Sequence, residues 1–300
     1  MILLFIFACG TVTNGPFDDD ANFLAALPDE ARQTVGFGDD TTDAAARGLG
    51  DRADLVELSV VIAAQVNGFV LGTLGLVDRV RELPPTERGD NTRRWGPYEG
   101  DCGVSASLLM SREFGVYQWS VLGHPTEGDD GTVLYGTHFS GETVVGGDGS
   151  FVWDHGRWAS WCGLDESGVV TVDYDNRDGV DLLVLVEHLS LDGAEPTDWT
   201  YAYTRTDTLG DFQYRTVSDL AEDGSDELAT VTVRDRWIPG TGGRSDAQVT
   251  GGGFGDTLWQ WSQCWGATGR LTFQTDSLAL TETVGNEADC VFEAAEVDRL

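Results

Sequence analysis

From Cys102 onward the chain alternates apolar and polar residues in short runs rich in Val, Thr, Tyr and Trp. Val116–Val121, Val169–Tyr174, Val180–His188, Trp199–Thr204, Ala229–Val233, Leu258–Trp261 and Gly269–Thr275 are such runs. Gly/Asp turns separate them, among them Gly128-Asp-Asp-Gly131, Gly147-Asp-Gly149, Arg177-Asp-Gly179 and Glu222-Asp-Gly224. A period of two sends successive side chains to opposite faces. The pattern therefore predicts a meander of about ten to thirteen antiparallel strands with one wet face and one covered face.

Residues 51–83 follow another pattern. Leu55, Leu58, Val61, Ile62, Val66, Phe69, Val70, Leu74, Val77 and Val80 place apolar groups on nearly every face of one long helix. Asp51 is a candidate cap and Pro84-Pro85 a stop. Such a helix is either buried in a core or crosses a membrane. Glu57, Gln65 and Asn67 are costly in lipid, which favours the core. Gly68-Phe-Val-Leu-Gly72 matches the GxxxG pattern of membrane helix pairs; in a soluble core it marks a small-residue face where the sheet approaches closely. The expected fold is mainly β (α+β): a large curved antiparallel sheet or half-barrel meander, covered by one long N-terminal helix, as a single domain over 51–300. Residues 10–50, rich in Gly, Asp, Thr and Ala, read as a flexible acidic linker with a short helix at Asn22–Val35 and capping candidates at Thr41 and Asp43.

Composition narrows the function. The chain has 300 residues and 41% hydrophobic content, enough for one large core or two modest ones. Ten Trp, thirteen Phe and seven Tyr argue for order despite a formal net charge of −33. The acid is spread along the chain as a solvated surface, which repels nucleic acid and anionic head groups. All eighteen basic residues are arginine. Without lysine there is no Walker A lysine, no Schiff base and no Ser-Lys dyad.

Five cysteines are present. Setting Cys9 apart leaves Cys102, Cys162, Cys264 and Cys290, an even number that suggests two disulfides with three connectivities open. Cys264–Cys290 is favoured because these two lie closest in sequence, with Cys102–Cys162 as the remainder. Closing the Cys264–Cys290 loop contributes ~3–4 kcal/mol on the chain-entropy model.

Candidate chemistry is sparse. Asp173-Tyr-Asp-Asn-Arg-Asp-Gly179 resembles a calcium loop, but Arg177 and Asp178 stand where an oxygen ligand and a glycine are needed, so a hairpin turn is expected. Asp129-Asp130 and Asp223–Glu227 are further acidic clusters. Asp154-His155, between Trp153 and Trp158, has the form of half a catalytic pair, or of a tight turn between strands, and the turn is favoured. No GxSxG elbow is present, and Gly251-Gly-Gly-Phe-Gly255 lacks the third glycine of a dinucleotide fingerprint. Trp259 and Trp261 share a strand face, as a sugar-stacking platform or as core beside Cys264 and Trp265. No catalytic residue, metal ligand or cofactor is assigned.

The N-terminus carries a resemblance. Met1-Ile-Leu-Leu-Phe-Ile-Phe-Ala8 is an apolar run that ends in a small residue before Cys9. Ile6-Phe-Ala-Cys9 resembles the lipobox of bacterial lipoprotein signal peptides. The resemblance implies removal of residues 1–8, lipidation of Cys9 and, with Gly10 next, sorting to the outer membrane. The aromatic, cysteine-bearing strands are similar in composition to uncharacterised secreted lipoproteins. The expected helix on a curved sheet is similar in architecture to the lipoprotein-carrier superfamily, whose half-barrel holds acyl chains. The expectation is a monomeric, noncatalytic envelope lipoprotein held to the membrane by its lipid, with a structural or binding role toward an apolar or carbohydrate ligand. The rival is a secreted hydrolase using paired carboxylates on polysaccharide.

Overall fold

The computed structural model describes residues 19–29, 32–36, 53–139, 147–218, 228–293, 297 and 300. Cys9, Thr41, Asp43, Asp51 and Asp223–Glu227 lie outside the described residues. The chain forms one antiparallel sheet of fifteen strands in sequence order. They are β1 (Glu87–Arg88), β2 (Thr92–Glu99), β3 (Val104–Glu113), β4 (Val116–Pro125), β5 (Gly131–Phe139), β6 (Asp148–Asp154), β7 (Ser167–Asp175) and β8 (Val180–Ser190). Then follow β9 (Thr197–Arg205), β10 (Gly210–Ser218), β11 (Ala229–Ile238), β12 (Gly242–Gly251), β13 (Trp259–Gly266), β14 (Leu271–Asp276) and β15 (Val284–Gly285). The helices are α1 (Asp20–Ala25), α2 (Asp54–Arg81) and α3 (His155–Cys162).

The mainly β, antiparallel expectation stands, and the curl into a half-barrel does not. The sheet is open and uncurled: β1 and β15 are its edges, and among the described residues no ladder joins them. Alternation encodes pairing and face. Closure depends instead on strand tilt and shear, which alternation does not record.

Two register rows show how the covered face is built. Trp119, Gly136, Phe151, Val172, Val184, Tyr201, Tyr214, Val233, Ala247 and Trp261 pair in turn across β4 to β13. The adjacent row runs Tyr117, His138, Gly149, Tyr174, Leu182, Tyr203, Phe212, Asp235, Ser245 and Gln263. Glycines make room for rings from the neighbouring strand. A Cβ on Gly149 would lie 2.6 Å from the Tyr174 hydroxyl, and one on Gly136 would lie 2.6 Å from Cζ2 of Trp119. Without those side chains, Tyr174 reaches over β6 to His138 and Trp119 reaches Phe151.

The α2 helix crosses the strands. Leu55 packs with Val233 of β11 and Ala247 of β12, Phe69 stands 5.2 Å from Trp153 of β6, and the Leu83 carbonyl just past the helix accepts from Trp95 of β2 at 3.1 Å. Twenty-eight helical residues span about 42 Å. Nine strand spacings, from β11 to β2, span about 43 Å. The match requires an axis nearly perpendicular to the strands. By length and composition Asp54–Gly72 would also suit a membrane, with mean hydropathy 1.7 over 19 residues. In the structure Ala63, Val66, Val70, Leu74 and Val77 are buried in the core cluster that includes the sheet's aromatic rows.

Gly68 and Gly72 correct the expectation of a small-residue face against the sheet. They point outward with Leu58 and Val61, and a Cβ on either would meet nothing within 4 Å. The helix start differs as well. Its N-cap is Ala53, which offers no side-chain bond, and the free Leu55 N–H donates instead to Oε1 of Gln263 on β13 at 2.8 Å.

The opposite face over β10–β14 carries an ionic layer. Arg234 pairs with Asp211 at 2.6 Å, and Arg244 pairs with Asp246 and Glu287, each at 2.9 Å. Glu293 and Val297 lie over this layer: Arg236 donates to the Glu293 carbonyl at 3.2 Å and Gln213 to that of Val297. The cysteines meet as two pairs, Cys264–Cys290 with Cα atoms 5.6 Å apart and Cys102–Cys162 at 5.2 Å. The first staples the C-terminal segment to β13.

Candidate functional site

Residues 19–29 and 32–36, read in the sequence as part of a linker, pack on the core: Phe23, Ala26, Leu27 and Val35 are all buried. An amphipathic segment this short hides its apolar groups only against a partner, so sequence alone left it as a tether. It forms a strap with anchors at both ends. At the first, Asp20 pairs with Arg93 at 2.5 Å and Arg88 at 2.9 Å, and Asp19 pairs with Arg112 at 2.7 Å. Partial burial opposes the Asp19 carboxylate, yet hydrogen bonds from Arg112 and Asn22 hold its pKa below the usual range. Phe23 sits edge-on to Tyr117 at 5.3 Å, under the Arg93 guanidinium at 4.6 Å. At the second anchor, the Asn67 amide bonds both the N–H and the carbonyl of Val35 at 2.8 Å, and the Tyr203 hydroxyl does the same for Gly36 at 3.1 Å. Between them Arg81, in the last turn of α2, donates to the Leu27 and Pro28 carbonyls at 2.7 Å.

Under the middle of the strap is a cleft of about 350 Å³. Leu24, Ala25, Leu27 and Pro28 form its apolar side; Asp29, Arg32, Gln33, Arg81, His138, Tyr174 and Asn176 supply the rest. His138 and Tyr174 stack with centroids 6.0 Å apart, and His138 Nδ1 and the Tyr174 hydroxyl are 3.0 Å apart. Burial, with the nearby Asp148 charge, raises the Tyr174 pKa far above its usual value, so the phenol stays protonated. Gln33 is 1% exposed, and neither its Oε1 nor its Nε2 has a hydrogen-bond partner. Oδ1 of Asn176 is likewise buried and unpartnered. Three such atoms share this cleft, while others, such as Ser59 Oγ and the Trp119 and Trp153 indole nitrogens, lie elsewhere in the core.

The residues singled out in the sequence are elsewhere. Asp154 and His155 do not pair: Asp154 caps α3 by accepting from the Arg157 N–H at 2.9 Å, while His155 Nε2 meets Glu166 at 2.8 Å, beside Trp153 and Phe69. In the calcium-like loop Asp175 is bound by Arg177, whose hydrogen bonds hold the carboxylate's pKa down. Among the described residues no group of three His, Cys, Asp or Glu side chains is placed to hold a metal. Trp259 and Trp261 do share a face at 5.9 Å, continued by Phe254, but Trp261 packs on Leu55 and Val233.

One constellation escaped the sequence. Ser107 Oγ is 3.1 Å from His124 Nε2, and His124 Nδ1 is 2.9 Å from Asp130. These are the contacts of a nucleophile, base and orienting acid. The proportions are wrong for that work: Ser107 is 1% exposed, while the Asp130 side chain is 65% exposed. Ser107 and His124 come from β3 and β4 on the face opposite the aromatic rows, in a diagonal relation that only the register reveals. Gln33 and Asn176 were equally silent, since an amide in a loop carries no motif. No protein-family model, curated protein or solved structure matches the chain.

Proposed function

We propose that this protein is a noncatalytic envelope lipoprotein, tethered to the outer membrane through a lipid on Cys9, that binds a ligand in the cleft under its strap. The observation that carries the binding role is the buried, unpartnered Gln33 amide in a cleft of ligand size. Among the described residues that line the cleft, Asp29 is the one carboxylate. The α2 helix acts as the permanent cover of the sheet's apolar face. An apolar ligand between helix and sheet would have to displace Ala63, Val66, Val70 and Leu74, which are already buried.

Lipidation is tested in a lipoprotein-processing Gram-negative host. Wild-type protein should enter the detergent phase, because acyl chains supply the membrane affinity, and Cys9→Ser should remain aqueous. The chain has no lysine, so a mature N-acylated protein should also take up almost no amine-reactive dye. Wild-type protein that stays aqueous with Met1 intact defeats the tether. A different hydrolase reading, suggested by the Ser107–His124–Asp130 contacts, is tested at Ser107. A serine-directed fluorophosphonate should leave it unlabelled, and labelling abolished by Ser107→Ala would make the protein a serine hydrolase.

A further inference from the structure

We propose that the strap cleft binds a neutral saccharide unit, held by Gln33 and Asn176 against the stacked His138 and Tyr174. This inference rests on the binding role given above and names its ligand class.

The polar groups select the chemistry. Gln33 presents an unpartnered acceptor and an unpartnered donor side by side, and Asn176 adds an acceptor. An anion satisfies donors alone and a cation acceptors alone. A hydroxyl satisfies both, and vicinal hydroxyls span the two ends of one primary amide. The charged groups nearby favour neutrality. Asp29 and Arg32 bring one charge of each sign to the lining, Arg81 is engaged by Asp78 and the Leu27 and Pro28 carbonyls, all at 2.7 Å, and the chain's net charge of −33 repels a free anion. The walls suit a pyranose ring: the aliphatic groups of Leu24, Ala25 and Pro28 face its C–H groups, over the edges of the stacked Tyr174 and His138 rings. A cleft of about 350 Å³ admits one sugar ring with space for a linked neighbour. The described parts of the strap are held at both ends, by the Arg93–Asp20 and Asn67–Val35 contacts.

The experiment is saturation-transfer NMR on the folded full chain with D-glucose, D-galactose and N-acetyl-D-glucosamine. Acetate, phosphate and a blocked dipeptide serve as comparison probes. At least one sugar should bind with a dissociation constant of about 1 mM. Gln33→Leu should weaken it roughly tenfold or more, Asn176→Ala several-fold, and the outer-face control Gln118→Leu not at all. Thermal melting separates a binding amide from a structural one. Gln33→Leu removes two unsatisfied buried atoms, so its midpoint should equal or exceed that of the wild type. Sugar binding unchanged in Gln33→Leu and Asn176→Ala overturns the assignment, as does a lowered midpoint with affinity intact. Acetate, phosphate or dipeptide bound in place of sugar also overturns it, yet leaves the cleft a binding site. If no probe binds, the saccharide assignment and the binding role fall together.

Discussion

At the scale of single residues, the polar groups inside the covered face matter most. Asp235 lies on β11 in the row that runs from His138 to Gln263, fully buried between Phe212 and Ser245. Burial pushes its pKa up to about 7, against a hydrogen bond from Ser245, with the Asp246 and Asp211 charges adding to the rise. The native state therefore holds a proton that the unfolded chain releases above pH 4. Its stabilising contribution is complete below about pH 4, declines as pH rises toward 7 and is gone above that. The whole loss should be on the order of 4 kcal/mol. Urea unfolding at pH 5 and pH 8 should show wild type weakening while Asp235→Asn changes much less across the interval. Equal slopes for the two proteins would show that Asp235 is already ionised in the fold. In the sequence Asp235 stands between Arg234 and Arg236, with nothing local to mark it as buried. Its place on the buried side followed from the phase of β11.

At the scale of elements, α2 joins two kinds of information. Its apolar periodicity and the Pro84-Pro85 stop were legible, because both are local. Its cap was not, since Gln263 stands 208 residues from Leu55. Gln263→Leu leaves the buried Leu55 N–H without a partner and removes the bond from Gln263 Nε2 to Gln274. It should cost about 1–3 kcal/mol in chemical denaturation, and a loss near zero would mean that another group caps the helix. The outward glycines behave oppositely. With open space around it, Gly68→Ala gains helix propensity and should stabilise by about 0.5–1 kcal/mol. Destabilisation there would reveal a close neighbour on that face. The same sequence pattern, Gly68-xxx-Gly72, thus suggested tight packing where the fold leaves the face open.

At the scale of the whole molecule, charge and topology act together. Fifty-one acidic residues against eighteen arginines make the folded state repel itself. Several arginines are withdrawn into the ionic layer under the C-terminal segment, which leaves much of the acid on the surface uncompensated. Screening should raise the melting temperature between low and moderate NaCl, and calcium at matched ionic strength should add little. A large extra shift at micromolar calcium would show that the Asp175–Asp178 turn, or another acidic cluster, binds the ion.

The sequence by itself determined the antiparallel meander, several of its turns, the apolar helix and the excess of acid. Each of these is written in residues close together in the chain, through a period of two, a run of apolar positions or a count. Tertiary structure alone decided that the sheet stays open, that residues 19–29 and 32–36 form an anchored strap, and that Gln33, His138, Tyr174 and Asn176 share a cleft. Those outcomes depend on strand register added up over many pairs. A shift of one residue in β5 or β7 would turn His138 or Tyr174 to the other face and abolish the site without changing the composition or the order of elements.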